Sequence, residues 1–309
     1  MTGAAPDATA RTAPQRAALD VPIVDAHVHL WDRTALAYPW LEAAGMAAIA
    51  PTYRMADYRT ETAGWPVVGA VHVEAGAAPG QGAAETLWLE DHLADEAMPV
   101  VLVAAVALDA PDGAAQLAWQ ASRPRVRGVR HLVNWHPDPQ RCAYSTDLTR
   151  DPGWRRGYAL LGQYGLSFDF HGFPPQLAGL AEVAAAHPEI PLVVDHLGLP
   201  IREDGLSDWR AGMTALARLD HVTVKLSGAG FIDAPFDGAS FVDVLDEVFD
   251  LFGPARILAA SNFPTDRLFA PLDATWSAYA AWAARLTMEQ RRALWGGNAD
   301  RFYRIGIHS

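Results

Sequence analysis

Cysteine is almost missing from this chain. Cys142 is the only one in 309 residues, which excludes an intrachain disulfide framework and suits a reducing cytoplasm. No apolar run approaches the roughly 18 residues that a membrane span needs, so no membrane partner is expected. Basic residues are in deficit, with 24 Lys and Arg against 36 Asp and Glu for a net charge of −12. That is the wrong sign for nucleic acid or an anionic membrane surface, although a locally positive pocket still suits a small anionic substrate. Lysine is scarce and alanine and arginine are plentiful, a coding bias with no functional content. A glycine-rich phosphate turn after an early strand is also lacking, because the loose stretch from Gly76 to Gly82 is broken by Pro79. That argues against an open doubly wound sheet as the fold, and no organic cofactor is expected. No composition break marks a second domain. Met1 to Asp20 is rich in Ala, Thr and Pro without an apolar core, so residues 1–20 are expected to form a disordered tail and not a secretory signal, with one catalytic domain over 21–309.

What is present is an alternation. Short β-branched apolar runs occur at Ile23–Val28, Val67–Val73, Val100–Ala107, Val126–His131, Leu166–Phe170, Leu192–Asp195, Val222–Leu226 and Ile257–Ser261. Helix-forming stretches lie between most of them, at Glu85–Ala97, Ala114–Ser122, Trp154–Tyr164, Gln176–Ala186, Trp209–Leu219 and Ser240–Leu251. Apolar strands alternating with helices imply a buried parallel sheet. Eight such units in a half-hydrophobic chain of this length predict an α/β fold, a closed (β/α)8 TIM barrel.

The polar residues fall where such a barrel would use them. The first run ends in His27-Val28-His29, and side chains two apart on a strand point the same way. The other runs end at His72 and Glu74, near Asp109, at Arg130 and His131, at Asp169 and His171, at Asp195 and His196, at Lys225 and Ser227, and at Ser261-Asn262. All eight C-terminal ends meet at one mouth of a barrel, where active sites form.

These residues carry a family resemblance. The segments VDAHVHLWD (24–32), HVEA (72–75), VRGVRHLVNWHPDP (126–139), FDFHGFPPQL (168–177), VVDHLGLP (193–200), VTVKLSG (222–228), ILAASNFPTDRL (257–268) and GGNADRFYRI (296–305) resemble the amidohydrolase superfamily. The similarity is to the branch that contains 2-pyrone-4,6-dicarboxylate lactonase, 4-sulfomuconolactone hydrolase and L-fucono-lactonase. It implies a hydrolase acting on a small, cyclic and in some cases anionic substrate, most simply a lactonase. His27 and His29 match a pair that binds metal, or substrate in metal-free members. Arg130 matches an arginine used on substrate oxygens, and His196 matches the histidine that polarises the scissile carbonyl. Asn262 stands where most of the superfamily has the aspartate that activates water.

Lactone opening needs a deprotonated water, a polarised carbonyl and a protonated leaving oxygen. One divalent ion, zinc or manganese, held by His27, His29 and either His171 or His196, would supply the first two. With His171 as the third ligand, His196 is free for substrate. Without an ion a carboxylate must act, and Asp266 is the first candidate. Glu74, Trp31, Lys225 and Asn262 join Arg130 as expected substrate contacts, within a wider set of aromatics (Tyr38, Trp40, Trp135, Phe170, Phe173, Phe263) suited to a flat ligand. Asp25 is read as facing away from the histidine pair and orienting a ring from behind, Arg127 as lying on the outer or bottom rim, and Asn298 as capping the last helix. Two further readings keep the same residues: a decarboxylase or C–C hydrolase of an unsaturated or aromatic acid, and a degenerate ligand-binding member, motivated by Asn262. A homo-oligomer is compatible with all three.

Overall fold

A computed structural model describes residues 19–232, 236 and 238–307; all but the last two residues of the expected N-terminal tail lie outside them. Eight parallel strands, β1 (Ile23–Val28), β2 (Val67–Val73), β3 (Val100–Ala105), β4 (Val126–Arg130), β5 (Ser167–Phe170), β6 (Leu192–Val194), β7 (Val222–Leu226) and β8 (Ile257–Ala259), follow one another in sequence order around a single sheet. Closure falls between β8 and β1. There Val28 bridges Phe263, and the Asn262 and His29 amides donate to the carbonyls of His27 and Phe263 at 2.8 Å each.

The eight runs read from the sequence are the eight strands, four of them (β3, β4, β6, β8) a residue or two shorter at the C-terminal end. The helices that link them are α1 (Met55–Glu61), α2 (Gly82–His92), α3 (Gly113–Ala121), α4 (Pro152–Ala159), α5 (Leu161–Tyr164), α6 (Leu177–Ala186), α7 (Ser207–Ala217) and α8 (Val242–Phe252). The helix expected over 154–164 is thus two, parted at Leu160. After β8 come α9 (Leu272–Ala283), α10 (Met288–Arg292) and α11 (Asn298–Tyr303), the last two joined by a π turn at Ala293–Gly297. Asn298 is no cap: its amide donates to the carbonyls of Pro254 and Ile257 and ties α11 to the entry of β8. No helix among the described residues is long and apolar enough to cross a membrane.

Strand alternation divides the core. Val24, Ala26, Val71, Val73, Val101, Val103, Val193, Leu258 and Ala260 form the barrel interior, while residues such as Val129, Phe168, Val194 and Val224 pack beneath the helices. Tyr303, Ile305 and Ile307 close the floor. The approach there is tight, since a Cβ on Gly69 would lie 2.3 Å from Ile307 Cδ1. The interior is filled with side chains at the bottom and turns polar towards the top, which is where the site must lie.

Candidate active site

Strand β1 delivers two imidazoles through a local irregularity. Val24 and Ala26 point inwards, and a register shift between Asp25 and Val28 turns His27 inwards as well. Asp25 faces away, as expected, but it holds backbone and not a ring: its carboxylate accepts from the His27 and Ser261 amides and from the Tyr58 hydroxyl. The Nε2 atoms of His27 and His29 then approach to 3.1 Å. His29 Nδ1 lies 2.8 Å from the Val73 carbonyl, so that nitrogen carries the proton.

Two more histidines complete a continuous cluster. The ring of His196 is 4.9 Å from that of His27 and 5.1 Å from that of His171, centroid to centroid. His196 stands on left-handed backbone at φ 54°, a costly conformation for a non-glycine residue. Its Nδ1 is held 2.8 Å from Ser227 Oγ, which leaves Nε2 for the site. Gly228 makes this possible: it has φ 62°, and a Cβ there would meet His196 Cβ at 2.8 Å. His171 Nδ1 sits within hydrogen-bond reach of the Asn134 amide. Burial first, and cations nearby second, keep His27, His29 and His196 well below the ordinary imidazole range and His171 at about 4. All four are neutral bases at neutral pH.

Beneath them lies a buried ionic cluster. Lys225 Nζ lies 2.5 Å from Asp169 Oδ2, 3.0 Å from Asp195 Oδ1 and 3.2 Å from His27 Nδ1. The Tyr303 hydroxyl donates to Asp169 from the barrel floor. Burial pushes the Asp195 carboxyl up, but Lys225 and then His27 outweigh it and hold the group well below the usual carboxylate range. The sequence marked Asp195 as a strand end and gave it no role. Its position directly before His196 on β6 was the available signal.

Several expected contacts are corrected. Lys225 is fully buried and its donors are spent on protein groups, so it does not reach substrate. Trp31 is also fully buried, packed against Tyr38, Trp40 and Tyr53 with its indole N–H on the Pro51 carbonyl. Arg130 was expected to clamp a substrate carboxylate. Instead Nε donates to Glu74 Oε1 and one terminal nitrogen to the Glu74 carbonyl, both at 2.6 Å, while the other lies 3.6 Å from Asp195 Oδ2. Glu74, expected on a substrate hydroxyl or a histidine, serves Arg130. Asn262 is buried and donates to Asp266 Oδ1 at 2.7 Å, and the other Asp266 oxygen accepts from the Gly228 amide. Burial raises Asp266 to about 7, yet both its oxygens are engaged in bracing the β8 loop, which argues against it as the water-activating base. Of the expected aromatics, Tyr38, Phe170 and Phe263 belong to the core. Arg127 does lie at the bottom rim, on the carbonyls of Pro124 and Val126.

The metal expectation changes too. Among the described residues the group that brings three ligand atoms within 4.8 Å is His27, Asp195 and His196, not one that includes His171. The 3.1 Å between the Nε2 atoms of His27 and His29 is near the span of two imidazoles on one tetrahedral ion with bonds of about 2.0–2.1 Å. The cations already in place do not suit such an ion. Lys225 and Arg130 flank the two oxygens of Asp195, and an ammonium faces the far nitrogen of His27. The spacing fits a divalent ion and the charge and proton arrangement does not.

A cavity of about 700 Å³ opens beside Arg130, walled by Ala77, Ala105, Trp119, His131 and Tyr144. His131 Nε2 and the Tyr144 hydroxyl lie 2.7 Å apart on its wall.

Comparison with known proteins agrees with this fold. The sequence profile of the amidohydrolase family matches residues 24–305. An L-fucono-1,5-lactonase of Burkholderia multivorans is 31% identical over 91% of this chain and 96% of its own length. An uncharacterised protein of Sinorhizobium fredii is 32% identical over 93% and 99%. The crystal structure of an amidohydrolase from Burkholderia multivorans with bound zinc superposes with a TM-score of 0.78 at 30% identity, covering 92% of this chain and 99% of that one. The family profile runs from β1 to the turn after α11 of this barrel, and the chain belongs to the amidohydrolase family.

Proposed function

We propose that this protein is a hydrolase that opens a small cyclic ester by attack of water on a carbonyl at the barrel mouth. The observation that carries this reading is the unbroken chain of neutral imidazoles, His29–His27–His196–His171, with neighbouring ring centroids 4.8, 4.9 and 5.1 Å apart. The relative named as a lactonase supports the same reaction class.

The roles follow from which nitrogen of each ring is engaged. His196, with Nδ1 on Ser227, presents Nε2 to the carbonyl oxygen and stabilises the charge that develops there. A water that displaces the direct His27–His29 contact accepts from the Nε2–H of His27 and donates to the bare Nε2 of His29. A neutral imidazole takes its proton and passes one to the leaving alkoxide as the ring opens. His171, oriented by Asn134, lies on the far side of His196 and is the second proton carrier. Arg130, with one terminal nitrogen near Asp195 and its side chain on the wall of the alanine-walled cavity, adds positive potential beside the histidines. A divalent ion bound here would polarise the carbonyl and acidify water, but the cations already around Asp195 do not favour one, and no step above requires it. A decarboxylase reading has less support, because the decarboxylase structures that share the fold are 12–14% identical and inform on the fold alone.

The test is a proton-release screen of aldonolactones, muconolactones and pyrone carboxylates on untagged protein. Turnover of at least one class is expected, insensitive to chelator. No proton release from any class, together with CO2 evolution from an aromatic acid, would overturn the reading.

A further inference from the structure

Of the 24 lysine and arginine residues in this chain, Lys225 is the only lysine. A composition so biased to arginine keeps its one ammonium fully buried at the centre of the barrel. The surroundings explain why arginine does not replace it. Nζ faces three acceptors, Asp169 Oδ2 at 2.5 Å, Asp195 Oδ1 at 3.0 Å and His27 Nδ1 at 3.2 Å, which matches the three donors of a compact ammonium and not a planar fork.

The third contact has a consequence for the histidine pair. His29 carries its proton on Nδ1, against the Val73 carbonyl at 2.8 Å, so its Nε2 is a bare lone pair. Two bare nitrogens do not meet at 3.1 Å, so the proton between the rings belongs to His27 Nε2. His27 Nδ1 must then be bare and needs a donor, and Lys225 is that donor. The result is one directed chain of donors, from Lys225 to His27 to His29 to the Val73 carbonyl. A metal ion shared by the two Nε2 atoms requires the opposite tautomer. Both Nε2 atoms would have to be unprotonated, with the His27 proton on Nδ1, turned towards Asp195 Oδ1 at 3.4 Å. The Lys225 ammonium stands against that state: its donor would face an N–H, and it lies 3.0 Å from the oxygen the N–H would need. The second ring nitrogen of a histidine sets which form the first one takes.

We propose that Lys225 is a positioning residue that fixes the His27 tautomer and so decides that the His27/His29 pair works as a proton relay instead of a divalent-metal site. This deepens the mechanism proposed above. Its test uses no turnover, so its failure leaves the lactone reading intact, and an unsuccessful lactone screen leaves this inference intact.

Two measurements decide it. In metal-free wild-type protein labelled with [15N]histidine, long-range 1H–15N correlation spectra should show His27 protonated at Nε2. In the Lys225→Met variant, which keeps the stem and removes the donor, the proton should move to Nδ1. Zinc affinity, measured by competition with a chromogenic chelator on untagged protein, should rise at least tenfold in that variant. An Nδ1-protonated His27 in the metal-free wild type would overturn the proposal. So would wild-type protein that holds one equivalent of zinc as tightly as a folded Lys225→Met variant. Should the variant fail to fold, the wild-type spectrum and wild-type zinc titration decide alone: Nε2 protonation with weak zinc binding supports the proposal, and either opposite result ends it.

Discussion

His196 is constrained three ways at once: by left-handed backbone, by Ser227 on one ring nitrogen, and by Gly228 under its Cβ. Replacing its imidazole leaves that framework in place, so His196→Asn is expected to fold with a thermal midpoint near the wild type. It should lose about 10²–10⁴ in kcat, the usual worth of a positioned acid–base or polarising group. Wild-type kcat in the variant would remove His196 from the reaction. The pair Asn262 and Asp266 gives a sharper contrast. Asn262→Asp does not restore a missing base. It sets two carboxylates 2.7 Å apart in a buried loop and removes the donor between them, at a cost of about 1–3 kcal/mol. Exchanging the two, with Asn262→Asp and Asp266→Asn together, should recover most of that loss in urea denaturation; a double variant as unstable as the single would mean the contact is incidental. These residues also show what the sequence can and cannot tell. Although strand periodicity alone would not turn His27 inwards, which the register shift after Asp25 does, His27, His29 and His196 were legible because they stand at strand ends that a barrel gathers at one mouth. The roles of Lys225, Arg130, Trp31 and Asp266 were not. Each depends on a partner from a distant part of the chain (Asp169, Glu74, Pro51, Gly228), and no spacing along one strand reveals which acceptor another strand brings.

At the scale of elements, all eight strands could be read because β-branched runs buried on both faces are hard to mistake, and the order of the sheet follows from their alternation with helices. The helices after β8 were harder. α9 buries Leu272, Thr275, Trp276, Tyr279, Ala280 and Ala283 at helical spacing, but alanines on its outer face (Ala274, Ala278, Ala281) blur that stripe in the sequence. The split at Leu160 and the π turn at Ala293–Gly297 have no signal in local propensity. The contact between β2 and the C-terminal segment is testable. Gly69→Ala places a methyl against Ile307 and should cost about 1–2 kcal/mol by overpacking. In an Ile307→Ala background the same change should cost clearly less. Equal costs in both backgrounds, measured by urea midpoints, would show that the two residues do not touch.

Over the whole molecule, buried carboxyl groups make stability depend on pH. Glu85 is raised to about 8 by burial and then by the neighbouring Glu74, and Asp266 to about 7 by burial. Both bind protons more tightly in the folded chain than in the unfolded one. Their contribution is therefore complete below about pH 4 and is lost as pH rises through 7 to 8. Stability should fall between pH 6 and 9, and Glu85→Gln should flatten that fall by about 2 kcal/mol. Thermal melts across this interval check it; parallel curves for wild type and variant would remove Glu85 as the cause.

The floor of the barrel holds one more consequence. Tyr303 reaches Asp169, and Asp169 in turn grips Lys225. A residue that follows every strand in the chain thus anchors the electrostatics of a centre whose first histidines stand on β1. A nascent polypeptide stalled short of α11 carries every strand and all four clustered imidazoles and still lacks the Tyr303 donor beneath them, so the proton arrangement of the centre is completed only when α11 docks.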